Sequence, residues 1–353
     1  MSDVNLSGAD LAVAMPDDVL ISVRNLKKYF PITAGWLRKE VGTVKAIDDV
    51  SLDIRKGETF GLVGESGSGK STVARLMLRA YTLTDGSILF RRDSGEVVDI
   101  SSLNERQMRE MRREMQMIFQ DPYSSLNPRM NLLELVGEPL VIHGVGSQSE
   151  IRDRVADLLK VVGLRPEFLL RYPHAFSGGQ RQRIGIARAL ALNPSFIAAD
   201  EAVSALDVSV AAQNINLLQD LQEQFGLTYL FITHDLGMVE HIADRIGVMY
   251  LGRLMEIANT DDLFARPLHP YTEALMASVP QPDPRGNRTR KRVPLKGEIA
   301  NPANPPTGCT FHPRCPYAQE RCRTDVPALR EVAAGRQVRC HFAGELDLTG
   351  VAA

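Results

Sequence analysis

The 353-residue sequence has no run of eighteen or more apolar residues, so no segment is expected to cross a membrane. It has no basic excess either. Lys and Arg number 41 against 43 Asp and Glu, for a net charge of −2. That balance argues against nucleic acid as a partner. The first twenty residues contain no Lys or Arg. They lack the basic start of a secretory signal, and a cytosolic location is expected. Cysteine is scarce: four residues, all between 309 and 340. Disulfides are disfavoured in that compartment. No internal repeat is evident. What the chain does have is 44% hydrophobic and 24% charged residues, the balance of a globular protein with a sizeable core. Its length suggests one large core with an appendage.

Residues 1–18 read as a flexible tail. From Val19 to Glu58, segments such as VLISVRNL and VSLDI alternate apolar with polar residues, as β-strands do. Short apolar strands are expected at 59–63, 115–119, 195–199, 229–233 and 245–250. Helical patterns separate them, as in IRDRVADLLKVVG and VAAQNINLLQDLQEQFG. In STVARLMLRA, Val73, Leu76, Met77 and Ala80 fall on one face. Alternating strand and helix argues an α/β core with a mainly parallel sheet. Beyond about residue 265 the texture changes, and seven of the twenty prolines lie between 280 and 306.

The stretch GESGSGKST, residues 64–72, follows an apolar strand and opens a helix. Gly64, Gly67 and Gly69 let the backbone curl so that N–H groups converge on phosphate oxygens. Glu65, Ser66, Ser68 and Thr72 belong to the same loop. Lys70 would reach the β- and γ-phosphates and Ser71 would ligate Mg²⁺. SFIAADE ends a strand with two acids. Asp200 suits a metal ligand, and Glu201 suits the orientation of an attacking water. FSGGQRQRIGIARAL places Ser177, Gly178, Gly179 and Gln180 at a helix start, a second anion site. Two such starts in one chain suggest that the second serves a nucleotide held by another subunit.

These motifs resemble the ATPase subunit of an ATP-binding-cassette transporter over residues 19–350. GESGSGKST resembles the Walker A loop, FSGGQ the signature motif and IAADE the Walker B strand. Gln120 in MIFQDP matches the Q-loop, Asp207 in SALD the D-loop and His234 in FITHD the switch histidine. The resemblance implies a RecA-like parallel-sheet core, an N-terminal antiparallel β subdomain and a helical signature subdomain near 121–180. It places the nucleotide-binding domain at 19–265 and a small Cys-containing C-terminal extension at 266–353. It further implies that two subunits sandwich two ATP molecules. Lys70 and the opposing Ser177 would supply positive field, with Ser71, Asp200 and Gln120 at Mg²⁺. Glu201 and His234 would be catalytic, and Asp207 would join the nucleotide-binding set. An aromatic from the N-terminal strands stacks on adenine in this family; Phe30 aligns best and Tyr29 is its rival. Proline usually follows the catalytic glutamate, and here it is Ala202.

QDPYSSLNPRM, HPYTEALMASVP and NPPTGCTFHPRCP resemble ATPases of oligopeptide and dipeptide importers. The resemblance implies two membrane permeases, a second ATPase subunit, identical or not, and an extracytoplasmic solute-binding protein. The chain would then sit on the cytoplasmic face of the cell membrane. Nickel, glutathione or another small solute is the alternative cargo, and a non-transport cassette ATPase is a remote one. Two charged runs, residues 104–114 and 285–292, read as solvated surface.

Cys309, Cys315, Cys322 and Cys340 fall within 32 residues and suggest one site. They lack the close pairs of zinc knuckles. Iron–sulfur clusters take four thiolates with freer spacing. The resemblance points to a 4Fe–4S cluster. Zinc, with His312 or His341 replacing a thiolate, and free thiols stay open.

Overall fold

A computed structural model describes residues 15–36, 39–278 and 297–350. Residues 1–14 of the expected tail and the basic run 285–292 lie outside the described residues. The first layer is an antiparallel ribbon, β1 (Val19–Ala34) on β2 (Lys39–Arg55). After β3 (Thr59–Val63), β4 (Asp85–Arg91) and β5 (Val97–Asp99) complete this sheet in the order β2-β1-β4-β5.

The second sheet organises the molecule. It contains β3, β6 (Met115–Ile118), β7 (Phe196–Asp200), β8 (Thr228–Ile232), β9 (Arg245–Tyr250), β10 (Arg253–Asn259), β11 (Arg330–Ala333) and β12 (Arg336–Val338). The order is β11-β12-β10-β9-β3-β8-β7-β6. From β9 to β6 all neighbours are parallel. Each of β3, β7 and β8 is buried at every residue. Their alternate side chains feed two separate cores. Ile197, Ala199, Tyr229 and Phe231 face one, and Phe196, Ala198, Leu230 and Ile232 face the other. Double-sided burial is why these strands read as unbroken apolar runs. A fully buried side chain of this size contributes roughly 1.5–3 kcal/mol.

Helices cover the sheet where the 3.6-residue pattern placed them. The helix Lys70–Met77 buries Val73, Leu76 and Met77. It stops one turn earlier than the pattern suggests: Arg79 has φ +53°, and Ala80 is exposed. Segment 121–180 contributes two longer helices, Leu132–Ile142 and Gln148–Val161, each opened by a capping box. Among the described residues no helix is long and apolar enough to cross a membrane.

The C-terminal region joins the central sheet. β12 pairs antiparallel with β10, Glu256 opposite Val338, and extends its edge. Glu256 is fully buried here. Its carboxylate accepts the N–H groups of Leu268 (2.8 Å) and His269 (3.0 Å) and pairs with Arg336 at 3.2 Å. Arg339 donates to the Leu254 carbonyl and pairs with Asp49 of β2 at 3.0 Å. Replacing Glu256 with Ala strands a buried cation and two N–H groups. Urea denaturation of Glu256→Ala is expected to show a loss of about 3–5 kcal/mol; a loss below 1 kcal/mol would contradict this account.

Candidate functional site

Parallel strands end on one side of a sheet, and ligands of open α/β sheets gather there. In this chain β3 runs into Gly64, β7 into Glu201, β8 into His234, β6 into Gln120 and β9 into Gly252. Around those ends lies a cavity of about 510 Å³. Ser66, Gly67, Gly69, Lys70, Ser71 and Thr72 form its floor, facing Gln120, Glu201 and His234.

Loop geometry explains the glycines. Gly64 has φ +149°, and a Cβ there would lie 2.2 Å from the Met249 carbonyl oxygen. The loop therefore tolerates no side chain at its first turn. The Lys70 side chain folds back under the loop and donates to the carbonyls of Gly64 (2.8 Å) and Glu65 (3.0 Å). Burial pushes its ammonium below the ordinary lysine value, opposed by Glu201, Asp200 and Glu65. A cation so buried is poised for an anionic ligand. Among the described residues the buried Ser68 hydroxyl has no hydrogen-bond partner, and the Ser68 carbonyl accepts the Gly252 N–H at 2.9 Å.

Opposite the loop stand the acids. Ser71 Oγ donates to Asp200 Oδ1 at 2.7 Å. Burial raises the Asp200 pKa, and the Ser71 hydrogen bond holds it back. Together they form a hard-oxygen pair of the kind Mg²⁺ takes. Gln120 Nε2 donates to Glu201 Oε2 at 2.6 Å, and His234 Nδ1 lies 3.4 Å from Glu201 Oε1. Glu201 is held in the left-handed region at φ +47°. A non-glycine residue there is strained, a feature common at functional sites. Its N–H donates to Ile232 O, tying it to the end of β8. The arrangement offers a cation, backbone donors and an amide–carboxylate–imidazole cluster around one cavity. It can bind a polyphosphate and orient a water beside it.

Other expected residues fall elsewhere. Ser177 and Gln180 form a capping box on the helix Gly178–Leu190: Ser177 Oγ accepts the Gln180 N–H at 3.3 Å. Gly179 lets this helix approach the next one closely, since a Cβ would lie 2.3 Å from Val210 Cγ1. None of these four lines the cavity within this chain. Asp207 is exposed and caps the helix Val208–Phe225, accepting the Val210 N–H at 3.0 Å. Phe30 is not brought to the cavity. It pairs with Val44 in the ribbon and packs edge-on against Tyr81 at 5.6 Å. Tyr29 turns its hydroxyl to Asp48 at 2.6 Å. The wall there is made instead by Val44, Lys45, Ala46 and Pro302, with the Lys45 N–H donating to Pro302 O at 3.2 Å. Nothing in those residue types marked them; Pro302 lies in what read as linker. Ala202 is buried beside Glu201.

The four cysteines line one small enclosed space with His312 and His341. Burial drives the Cys315 thiol up to about 12 and Cys340 to about 11, and raises Cys309. Each histidine has one ring nitrogen 3.0 Å from a backbone carbonyl oxygen, Cys309 for His312 and Asp325 for His341. Among the described residues no group of three or more His, Cys, Asp or Glu is placed to hold a metal ion.

Comparison with known proteins settles the lineage. Residues 47–204 match the ABC transporter family, and residues 255–322 match the oligopeptide/dipeptide transporter C-terminal region. The oligopeptide transport ATP-binding protein AppF of Bacillus subtilis is 53% identical over 330 residues, 93% of this chain and 99% of that protein. This chain belongs to the ATP-binding-cassette transporter family. It is an ATPase, with the fold expected of a cassette. The solved dimeric post-hydrolysis cassette MJ0796 bound to ADP and Pi superposes with a TM-score of 0.59 at 30% identity, covering 68% of this chain and 99% of that one. The cbiO1 cassette of Clostridium perfringens gives 0.59 at 25% identity, covering 70% and 92%. In this cassette Gly64→Ala should collapse the loop: binding of a fluorescent ATP analogue is expected to fall at least tenfold, and wild-type affinity would refute the steric account.

Proposed function

We propose that this ATPase powers uptake of oligopeptides or dipeptides through two membrane permeases, working on the cytoplasmic face of the membrane. One observation carries the reading. A cassette and an oligopeptide/dipeptide-type C-terminal region occur in one chain, in the arrangement of a relative named for oligopeptide transport. The ATP site is the cavity at the strand ends. Lys70 and the loop N–H groups hold the triphosphate, and Thr72 borders it. Ser71, Asp200 and Gln120 would hold Mg²⁺, which when bound screens the phosphate charge. Glu201 orients the attacking water, and His234 and Gln120 fix the Glu201 carboxylate from either side. The base lies against the wall of Val44, Lys45, Ala46 and Pro302, in place of the aromatic stack on Phe30.

A second copy, or a homologous ATPase, supplies Ser177, Gly178, Gly179 and Gln180 across the interface, beside Asp207. That accounts for a signature helix that faces away from its own cavity. A groove of about 850 Å³ lined by Tyr81, Phe119, Pro139 and Arg188 lies beside Gln120 and suits a permease loop. A solute-binding protein outside the membrane delivers the peptide. For the cysteines of the extension the 4Fe–4S reading rests on four thiols that line one space and on a cubane taking four thiolates; as placed, the described residues form no metal-holding group, so these side chains would have to draw together around it.

The test of transport is reconstitution with partner permeases and a solute-binding protein. ATP-dependent uptake of labelled oligopeptides is expected. Uptake of nickel or glutathione alone would overturn the peptide assignment. In the same vesicles Glu201→Gln should retain ATP binding and lose at least 100-fold of turnover; turnover within a few-fold of wild type would remove Glu201 from the catalytic role. For the cluster, anaerobically purified protein should be brown with about four irons per chain, and Cys315→Ser should bleach it. Colourless protein with one zinc per chain would reverse that assignment.

A further inference from the structure

The Glu65 side chain is the one acid inside the phosphate loop, and it does not stand free. Arg314 grips it with two parallel hydrogen bonds, Nη1 to Oε2 at 2.6 Å and Nη2 to Oε1 at 2.9 Å. The pair is largely buried, 6% exposed on Arg314 and 22% on Glu65. Arg314 comes from far along the chain, immediately before Cys315 in the extension. The Glu65 backbone is held from the same region, its N–H donating to the Tyr271 hydroxyl at 2.9 Å. Tyr271 is fully buried and packs with Tyr250 and Phe311 at ring distances of 4.8 and 5.3 Å. The Arg314 guanidinium lies 5.7 Å from the Tyr250 ring centre, over that cluster. A third residue of the region, Pro302, lines the cavity itself.

A carboxylate in a loop built to receive a polyphosphate is unfavourable unless it is neutralised. A bidentate arginine both cancels the charge and fixes its direction. It also fixes the loop carbonyl that Lys70 uses, since Lys70 Nζ donates to Glu65 O. We propose that Arg314 is a positioning residue of the ATP site: the C-terminal extension neutralises Glu65 and sets the shape of the phosphate loop. The extension is thereby a working part of nucleotide binding. This rests on the ATP-site reading above and goes beyond it, because none of the cassette motifs contains Arg314.

The test uses the full-length chain and a fluorescent ATP analogue with Mg²⁺, titrated against the wild type and four variants, with a nucleotide-free thermal melt for each. Arg314→Ala is expected to bind about tenfold more weakly, the effect of one charge-assisted contact. Arg314→Lys keeps the charge and loses the fork, and should fall between the two. The double variant Arg314→Ala with Glu65→Gln should recover most of the affinity, because the repelling charge leaves with its partner. In the assembled transporter Arg314→Lys should raise KM for ATP with kcat near wild type. A folded Arg314→Ala protein with wild-type affinity would overturn the proposal. So would a double variant that binds no better than Arg314→Ala, since the arginine would then serve only to fasten the tail. Should Arg314→Ala fail to fold, wild-type affinity in Arg314→Lys overturns it equally. Lys70→Ala separates the two readings: if it binds like wild type the cavity is not the ATP site, whereas its loss beside an unaffected Arg314 variant sinks only this inference.

Discussion

Everything in this molecule depends on a sheet buried on both faces. When β3, β7 and β8 lie between two cores, only a side chain at the last position of a strand, such as Asp200 of β7, can meet a ligand. Chemistry is confined to the strand ends. Because the strands are parallel, those ends open on the same side. Lys70, Gln120, Glu201 and His234 are brought together by that geometry although they span more than 160 positions of the chain. The polar residues there are held by the backbone that leaves each strand: the Glu201 N–H is still tied to β8, and the Lys70 ammonium to the loop that follows β3.

The same constraint explains the split of the motifs into two surfaces. The signature helix starts at Ser177, and its close approach at Gly179 fixes it against the helix Val208–Phe225. That packing leaves its N-terminus on the surface, away from the loop of the same chain. An anion site at an exposed helix start is incomplete until something carries a phosphate to it. A dimer of cassettes is the economical physical answer, and it is consistent with the dimeric form in which a solved relative is described.

The C-terminal region is more intimate with the cassette than an appended domain would be. Its own core is one small cluster, and the rest of its burial is shared with the cassette. β12 extends the central sheet, Val338 packs with Leu268 and Ala343, and Phe311 joins two tyrosines behind the phosphate loop. Glu256 and Arg339 fasten the two parts with charged groups that are buried in the process. Charges so buried make the junction intolerant of single changes, because each leaves a partner unsatisfied.

The sequence by itself determined the α/β class, the strands at 59–63 and 245–250, the phosphate loop and the acids at the end of β7. Each of these is written in local terms: an apolar run doubly buried, a glycine where a Cβ would strike a carbonyl, a serine at a helix start. It also marked the four cysteines as neighbours by their crowding. Helix ends were less legible, because Arg79 terminates its helix by a backbone angle that no residue preference announces. The tertiary structure alone decided which residues wall the cavity. Val44, Lys45 and Pro302 carry no chemical signature, and Phe30, which does, is turned to Tyr81 by the register of its ribbon. The pairing of Glu65 with Arg314 spans 249 positions, and spacing along a chain holds no information about such a contact. Only the closure of the sheet edge by β12 and the packing of Phe311 bring that arginine to the loop.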